Sequence, residues 1–212
     1  MEKIKTPWVH KLLKVIKWIF LFLVGSYILL VVGRTIYLVN KHYADIKTNA
    51  EVEKIHNTRI TLLDVMGTNL PPDPGVLADQ TIAGVDANHN SIRDDVELAI
   101  FNAYPNSAKT RAVLLQYALA LQMETIEPIV NTTTATEVIR EQSRGFECIG
   151  NIVPRDNLQK FNEMTDFLTN FIKSKQFNTK ERQNARDLFL KNVESYSGLD
   201  RICDIDYSTL PN

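Results

Sequence analysis

The sequence predicts a mainly α protein, in which a single N-terminal transmembrane helix is followed by an extracytoplasmic helical domain that opens with an Asp/Asn-rich loop. Three observations predict it. An uncharged apolar run extends from Trp18 to Gly33 and resumes after Arg34 as far as Val39. Side-chain oxygens stand at alternate positions between Asp86 and Asn90 and return at Asp94 and Glu97. Beyond residue 96 the apolar pattern is helical.

Length and composition suit one anchored domain: 212 residues, 23% charged and 44% hydrophobic, are not the composition of a disordered chain. Charge is unevenly placed. Up to Lys47 there are eight Lys/Arg against two acids, or +6; the remainder has sixteen against twenty-three, or −7, and the two sum to the net −1. An acidic body lacks the cationic stripe that nucleic-acid binding requires, so no nucleic-acid partner is expected.

Residues 1–17 read as a cytoplasmic, basic, amphipathic head. Thr6-Pro7 suits an N-cap followed by proline at the first helical position. Trp8, Leu12, Leu13 and Ile16 recur near helical spacing, while Lys5, Lys11, Lys14 and Lys17 take other positions. The pattern fits a segment lying on an anionic leaflet, and equally an ordinary cationic flank.

Residues 18–39 are the transmembrane helix. The run to Gly33 rises only ~24 Å, whereas the stretch to Val39 rises ~33 Å, enough for a hydrocarbon core of ~30 Å. Arg34 would snorkel to the nearer interface, with Trp18 and Tyr37 marking the two boundaries. Membrane lipid is therefore the expected partner of residues 8–39. Lys3, Lys5, Lys11, Lys14 and Lys17 precede the span, and only Arg34, Lys41 and Lys47 follow it closely. This bias puts the N-terminus in the cytoplasm and everything after Asn40 outside. A cleaved signal peptide is the rival, since Val31-Val32-Gly33 is a tolerable cleavage triplet; the long basic head and the apolar residues past Arg34 favour a retained signal anchor.

Residues 40–83 read as a stalk and Pro-rich linker. Asn40 to about His56 could prolong the membrane helix, Arg59 to Met66 is too short and mixed to assign, and Leu70-Pro71-Pro72-Asp73-Pro74-Gly75 breaks regular structure. The helical domain then runs over 84–212, beginning with the loop 86–97. A twelve-residue calcium loop takes side-chain oxygens at positions one, three, five and nine, a backbone carbonyl at seven and a bidentate carboxylate at twelve. Here those positions are Asp86, Asn88, Asn90, Asp94, Ile92 and Glu97.

On these residues the stretch resembles the calcium loops of EF-hands, and those of dockerin and thrombospondin type 3 modules. The resemblance covers the twelve residues and the helix Val96 to Ala103, and it implies Ca²⁺ as the bound ion. It departs from the pattern at Ser91, where a glycine normally permits the sharp turn, and two amides replace carboxylates, leaving Asp86, Asp94 and Glu97 as charged ligands. Affinity on the order of 10⁻⁴ to 10⁻³ M is then expected, as in extracellular modules. A plain Asn/Asp turn capping the following helix is the simpler alternative. Leu70-Pro71-Pro72, Gly84-Val85-Asp86 and Ile92 to Glu97 are also similar to a group of bacterial secreted or envelope proteins, a likeness that implies no activity.

The next helix ends near Pro105, and Asn106 or Ser107 can cap its successor. Ala112 to Met123 is apolar almost all round, as in a helix buried in a core. Three later helices carry capping-box patterns, at Thr134 with Glu137, Asp156 with Gln159 and Asn178 with Glu181. In the second, Leu158, Phe161, Met164, Phe167, Leu168, Phe171 and Ile172 are expected to face the core; in the third, Ala185, Phe189, Val193 and Tyr196.

Cys148 and Cys203, both on the expected outer side, suit a disulfide. Loop closure over that separation is worth up to ~4 kcal/mol. No histidine stands near Cys148 in sequence to activate it as a nucleophile, and no zinc-protease pair, phosphate-cradling loop or nucleophile elbow occurs. No catalytic residue is assigned. The expected function is a membrane-anchored, calcium-binding structural or interaction module of the cell envelope with a protein partner. Two alternatives stand: an envelope hydrolase whose site assembles from residues distant in sequence, and a helical partner-binding domain whose loop holds no calcium.

Overall fold

The computed structural model describes residues 7–196, 198–199 and 201–211; Thr6, Lys3 and Lys5 of the basic head lie outside them. The chain divides into two compact units, 1–47 and 48–212, and no strand occurs among the described residues.

The first unit is the leading part of helix α1 (Pro7–Asn57), which continues into the second. No proline interrupts α1 after its first residue. Its apolar side chains stand exposed, Phe22 at 73% and Leu29 at 74%, and the helix is long and apolar enough to cross a membrane. Just past the uncharged run, the Thr35 hydroxyl donates to the Val31 carbonyl at 2.9 Å and so is satisfied within the helix.

In the second unit, residues 48–57 of α1 form part of the folded body. Ile55 is buried, Asn131 Nδ2 donates to Thr48 Oγ1 at 2.7 Å, and Lys54 pairs with Glu127 at 2.6 Å. The stretch expected to be stalk and linker over 40–83 is thus largely built into this unit. It contains α2 (Leu62–Met66), which the sequence left unassigned, and a 3-10 turn (Gly75–Asp79). A reciprocal capping box joins Thr61 and Asp64, and Val65 on α2 is fully buried. Ile60 and Ala78 are also in the interior.

Helix α3 (Asp94–Ala103) begins two residues before the expected Val96, and α4 (Ala108–Ile126) follows with Ser107 as its N-cap. Every residue from Arg111 to Glu124 is buried, so α4 is the axis of the domain. Around it lie α5 (Thr132–Ile152), α6 (Leu158–Gln176) and α7 (Lys180–Leu190). Nearest is α5, where a Cβ on Gly145 would meet the Tyr117 Cα at 2.9 Å. Since the middle of α4 has no wet face, its polar side chains find partners on other segments, Glu124 Oε1 alone among them staying without one among the described residues. Arg111 donates to the carbonyls of Val65, Tyr104 and Pro105, and Gln122 to that of Ala83 while accepting from Gln176. Gln116 donates to Ile202 O and accepts from Asp204 N, and Glu124 accepts from Arg186 at 2.9 Å.

The capping residues differ from those expected. Asn131, three residues before Thr134, caps α5: its Oδ1 accepts from Thr134 N while Thr134 Oγ1 accepts from Asn131 N, so the threonine hydroxyl serves as the third helical residue. Asn157 replaces Asp156 on α6 and Thr179 replaces Asn178 on α7, since cap-competent residues stand side by side. The stripe on α6 is also narrower than expected. Leu168 and Ile172 are buried and Phe161 and Phe171 partly so, but Leu158, Met164 and Phe167 are exposed. Leu158 and Phe167 lie about two and a half turns apart and cannot share one face. Helix α7 ends at Leu190, before Val193 and Tyr196. The Cys148–Cys203 disulfide is formed, with Cα atoms 5.3 Å apart, and ties the tail to the last turns of α5.

Two outcomes follow from α4. Gly145→Ala forces α5 away from Tyr117 and should lower stability by ~1–3 kcal/mol, read by chemical denaturation. Burial raises the Glu124 carboxyl from 4.5 to about 7, against the pull of Arg186. The native chain then binds a proton that the unfolded chain releases, so this group's contribution is full below pH 4.5 and lost as pH rises through about 7. Wild type should lose stability relative to Glu124→Gln across that window, seen as converging or crossing denaturation midpoints.

Candidate metal centre

The loop 86–97 sits between Val85, whose carbonyl accepts from Asp94 N at 2.9 Å, and the first turn of α3. Gly84 precedes it at φ +70°, and a Cβ there would lie 2.8 Å from the Arg93 side chain. Only glycine suits that position. Ile92 is fully buried and anchors the middle of the loop in the core.

Backbone and side chains within the loop are closely knit. Asp86 accepts from the backbone N–H groups of Asn90 at 3.1 Å and Ser91 at 2.9 Å, and Asn90 Oδ1 accepts from Ile92 N at 2.9 Å. Both Asp94 oxygens accept from Ala87 N. Ser91 adopts φ +67° and His89 φ +59°, so the serine takes the left-handed turn normally given to glycine at that position.

Glu97, at the twelfth position, is 1% exposed. Its Oε2 accepts from Asn88 Nδ2 and Asn90 Nδ2, each at 3.0 Å, while Oε1 is buried without a hydrogen-bond partner. Burial pushes this carboxyl up to about 7; the two amides oppose the shift, and Asp64 and Asp94 add to it. Asp94 is raised by burial and by the charges of Asp86 and Asp95. Sequence reasoning missed Asp64, whose Thr61-x-x-Asp64 capping pattern was the available signal. It helps line a polar cavity of about 330 Å³ with Asn88, Asn90 and Ser91.

All six expected residues are therefore gathered in one loop. Among the described residues, however, no three His, Cys, Asp or Glu side chains converge as a metal-ligating group. The carboxylates of Asp86 and Asp94 serve backbone donors, and the amides present nitrogen to Glu97. A cation would need Asn88 and Asn90 to turn by half about χ2, offering oxygen in place of nitrogen, at the cost of the hydrogen bonds from Asn88 Nδ2 to Asn69 O and from Ile92 N to Asn90 Oδ1. The orphaned Glu97 oxygen and the hard-oxygen donor set fit such an ion.

Arg93, also missed, fixes the far side. It is fully buried, pairs with Asp95, and donates to the Gln176 carbonyl at 3.0 Å, at the C-terminal end of α6. The loop is thus attached to the core independently of any ion. Ser91→Gly should relieve the left-handed strain and raise stability by up to ~1 kcal/mol, less the entropy glycine adds to the unfolded chain; urea denaturation reads it. No family model, curated protein or solved structure matches this chain.

Proposed function

We propose that the protein is a membrane-anchored structural or interaction module of the cell envelope, with its N-terminus in the cytoplasm, its helical domain outside, and a calcium ion bracing loop 86–97. One observation carries the calcium reading: a carboxylate at the twelfth loop position, removed from water, has one oxygen with no donor. Leaving a buried carboxylate oxygen unpaired is costly; Glu124 Oε1 and Asp204 Oδ2 are unpaired too, but Glu97 stands in a run of oxygen-bearing residues at calcium-loop spacing that could share a divalent cation with it. Ser91's left-handed backbone supports the same reading, because it supplies the turn that such loops need. The anchor rests on the length and apolar character of α1, and the orientation on the lysines that precede it. A bracing role, with an envelope protein as partner, is favoured over catalysis by the loop's attachment to both α3 and α6.

Thermal unfolding of the full chain in uncharged detergent, in EDTA and in ~10 mM calcium, tests the reading. At the expected affinity the midpoint should rise on the order of 3 to 10 °C. Asp86→Ala and Glu97→Gln should abolish the rise. In EDTA, Glu97→Gln should be as stable as wild type or more so, because it removes a buried charge. Equal midpoints with and without calcium, or a rise that survives both substitutions, would refute the calcium site.

A further inference from the structure

Helix α6 turns one arc to the core and presents a second apolar arc to solvent. Its buried residues are Thr165, Leu168, Thr169, Ile172 and Gln176. Lys160, Met164, Phe167 and Phe171 follow one another at intervals of four, three and four residues. They therefore form a strip within about 60° of one another, roughly a third of a turn away from the buried arc. Met164 is 40% and Phe167 66% exposed. Phe171 is half-buried, its ring edge-on to Tyr104 with centroids 6.1 Å apart. Alternation of threes and fours is the spacing of a helix–helix seam, in which apolar side chains enter holes on a facing helix. Met164, Phe167 and Phe171 are also contiguous, unlike apolar residues scattered singly over a surface.

The strip is complementary to itself when reversed. Consider two α6 helices packed antiparallel about a two-fold axis midway between Thr165 and Asp166. Met164 and Phe167 are equally distant from that midpoint, and so are Lys160 and Phe171. Met164 of each copy then meets Phe167 of the other, and Lys160 of each meets Phe171 of the other. The Lys160 ammonium, which has no ion-pair partner among the described residues, gains a ring face. Asp156, just ahead of α6, and Lys175, in its last turn, are likewise equidistant from the midpoint, exposed and opposite in charge. Each end of the pair thus sets an acid near a base. Parallel packing would instead place Lys160 on Lys160, like charge against like.

We propose that α6 is a self-association surface on which two copies of this chain pair antiparallel along Met164, Phe167 and Phe171. Nothing in this pairing requires the ion in loop 86–97. A single helix pair lies below the ~1,200 Å² of stable interfaces, so the association is weak. Confinement of copies to one membrane by α1, as read above, would raise their effective concentration and suits a weak seam.

The full chain in uncharged detergent with EDTA, which takes calcium out of the comparison, is followed by sedimentation equilibrium. A monomer–dimer equilibrium with a dissociation constant on the order of 10⁻⁵ M is expected. Phe167→Glu should weaken it about tenfold or more, whereas Leu188→Glu on α7, at a residue 58% exposed, should leave it unchanged. If Phe167→Glu loses its helical circular dichroism, Phe167→Gln should weaken the dimer in the same direction. Orientation is read by joining cysteines with a short bis-maleimide. Copies carrying Lys160→Cys mixed with copies carrying Ser174→Cys should cross-link, and neither variant by itself. The antiparallel pair sets 160 about 5 Å along the axis from 174 of the other copy, but holds the two copies of 160 about 16 Å apart. Cross-linking of each variant with itself and not of the mixture would mean a parallel pair. A dimer untouched by folded Phe167→Glu or Phe167→Gln would mean a seam elsewhere, and a chain monomeric throughout would leave the strip to a different protein or to lipid. Each of these three results overturns the proposal, and none of them bears on the calcium-dependent midpoint.

Discussion

A helix with no solvent face must find a partner inside the protein for every polar group it carries, and this constraint organises the domain. Helix α4 buries four polar side chains among its apolar ones. Each reaches a different part of the chain. Arg111 secures α2 and the turn after α3, Gln122 the approach to loop 86–97 and the end of α6, Glu124 helix α7, and Gln116 the tail. Apolar burial supplies most of the driving force but no direction. The four polar contacts favour one arrangement of the surrounding elements, since losing any of them would strand a further buried donor or acceptor.

The same logic extends outward through buried arginines. Arg93 and Arg182 are both fully inaccessible, and both bind backbone carbonyls as well as a carboxylate. Arg182 gathers the carbonyls of Ala78, Thr81 and Ile82 onto the first turn of α7, so the irregular stretch before the loop is held as firmly as a helix. Loop 86–97 is consequently suspended between two fixed points, Gly84 and the Arg93–Gln176 contact. Its internal geometry is set by the fold, and a bound ion would act on side chains rather than on chain direction.

What could be read from the sequence follows from the range of the interactions involved. The apolar run of α1, the all-round apolar α4 and the single cysteine pair are strong local or pairwise signals, and the elements they imply are present. The Asp/Asn spacing of loop 86–97 was legible because it is local. The exact caps were not legible: Asn131, Asp156 with Asn157, and Asn178 with Thr179 offer adjacent candidates of similar preference. Exposure of Phe167 and Leu158 was missed because periodicity shows that apolar residues recur, not which arc another helix covers. Arginines 93, 111, 144 and 182 have partners up to 104 positions away, and only the fold brings them together.

The contact between Gln116 and the tail carries a consequence for the order of events in time. The partners of this core amide, Ile202 and Asp204, stand 86 and 88 positions downstream. A chain emerging residue by residue would bring α4, α5 and α6 together while Gln116 still lacked both, and the bridge at Cys203 could not yet close. Such a domain cannot mature helix by helix as it is made. It waits in a partly solvated, loosely joined form until the distal segment arrives and the core shuts in one late cooperative step.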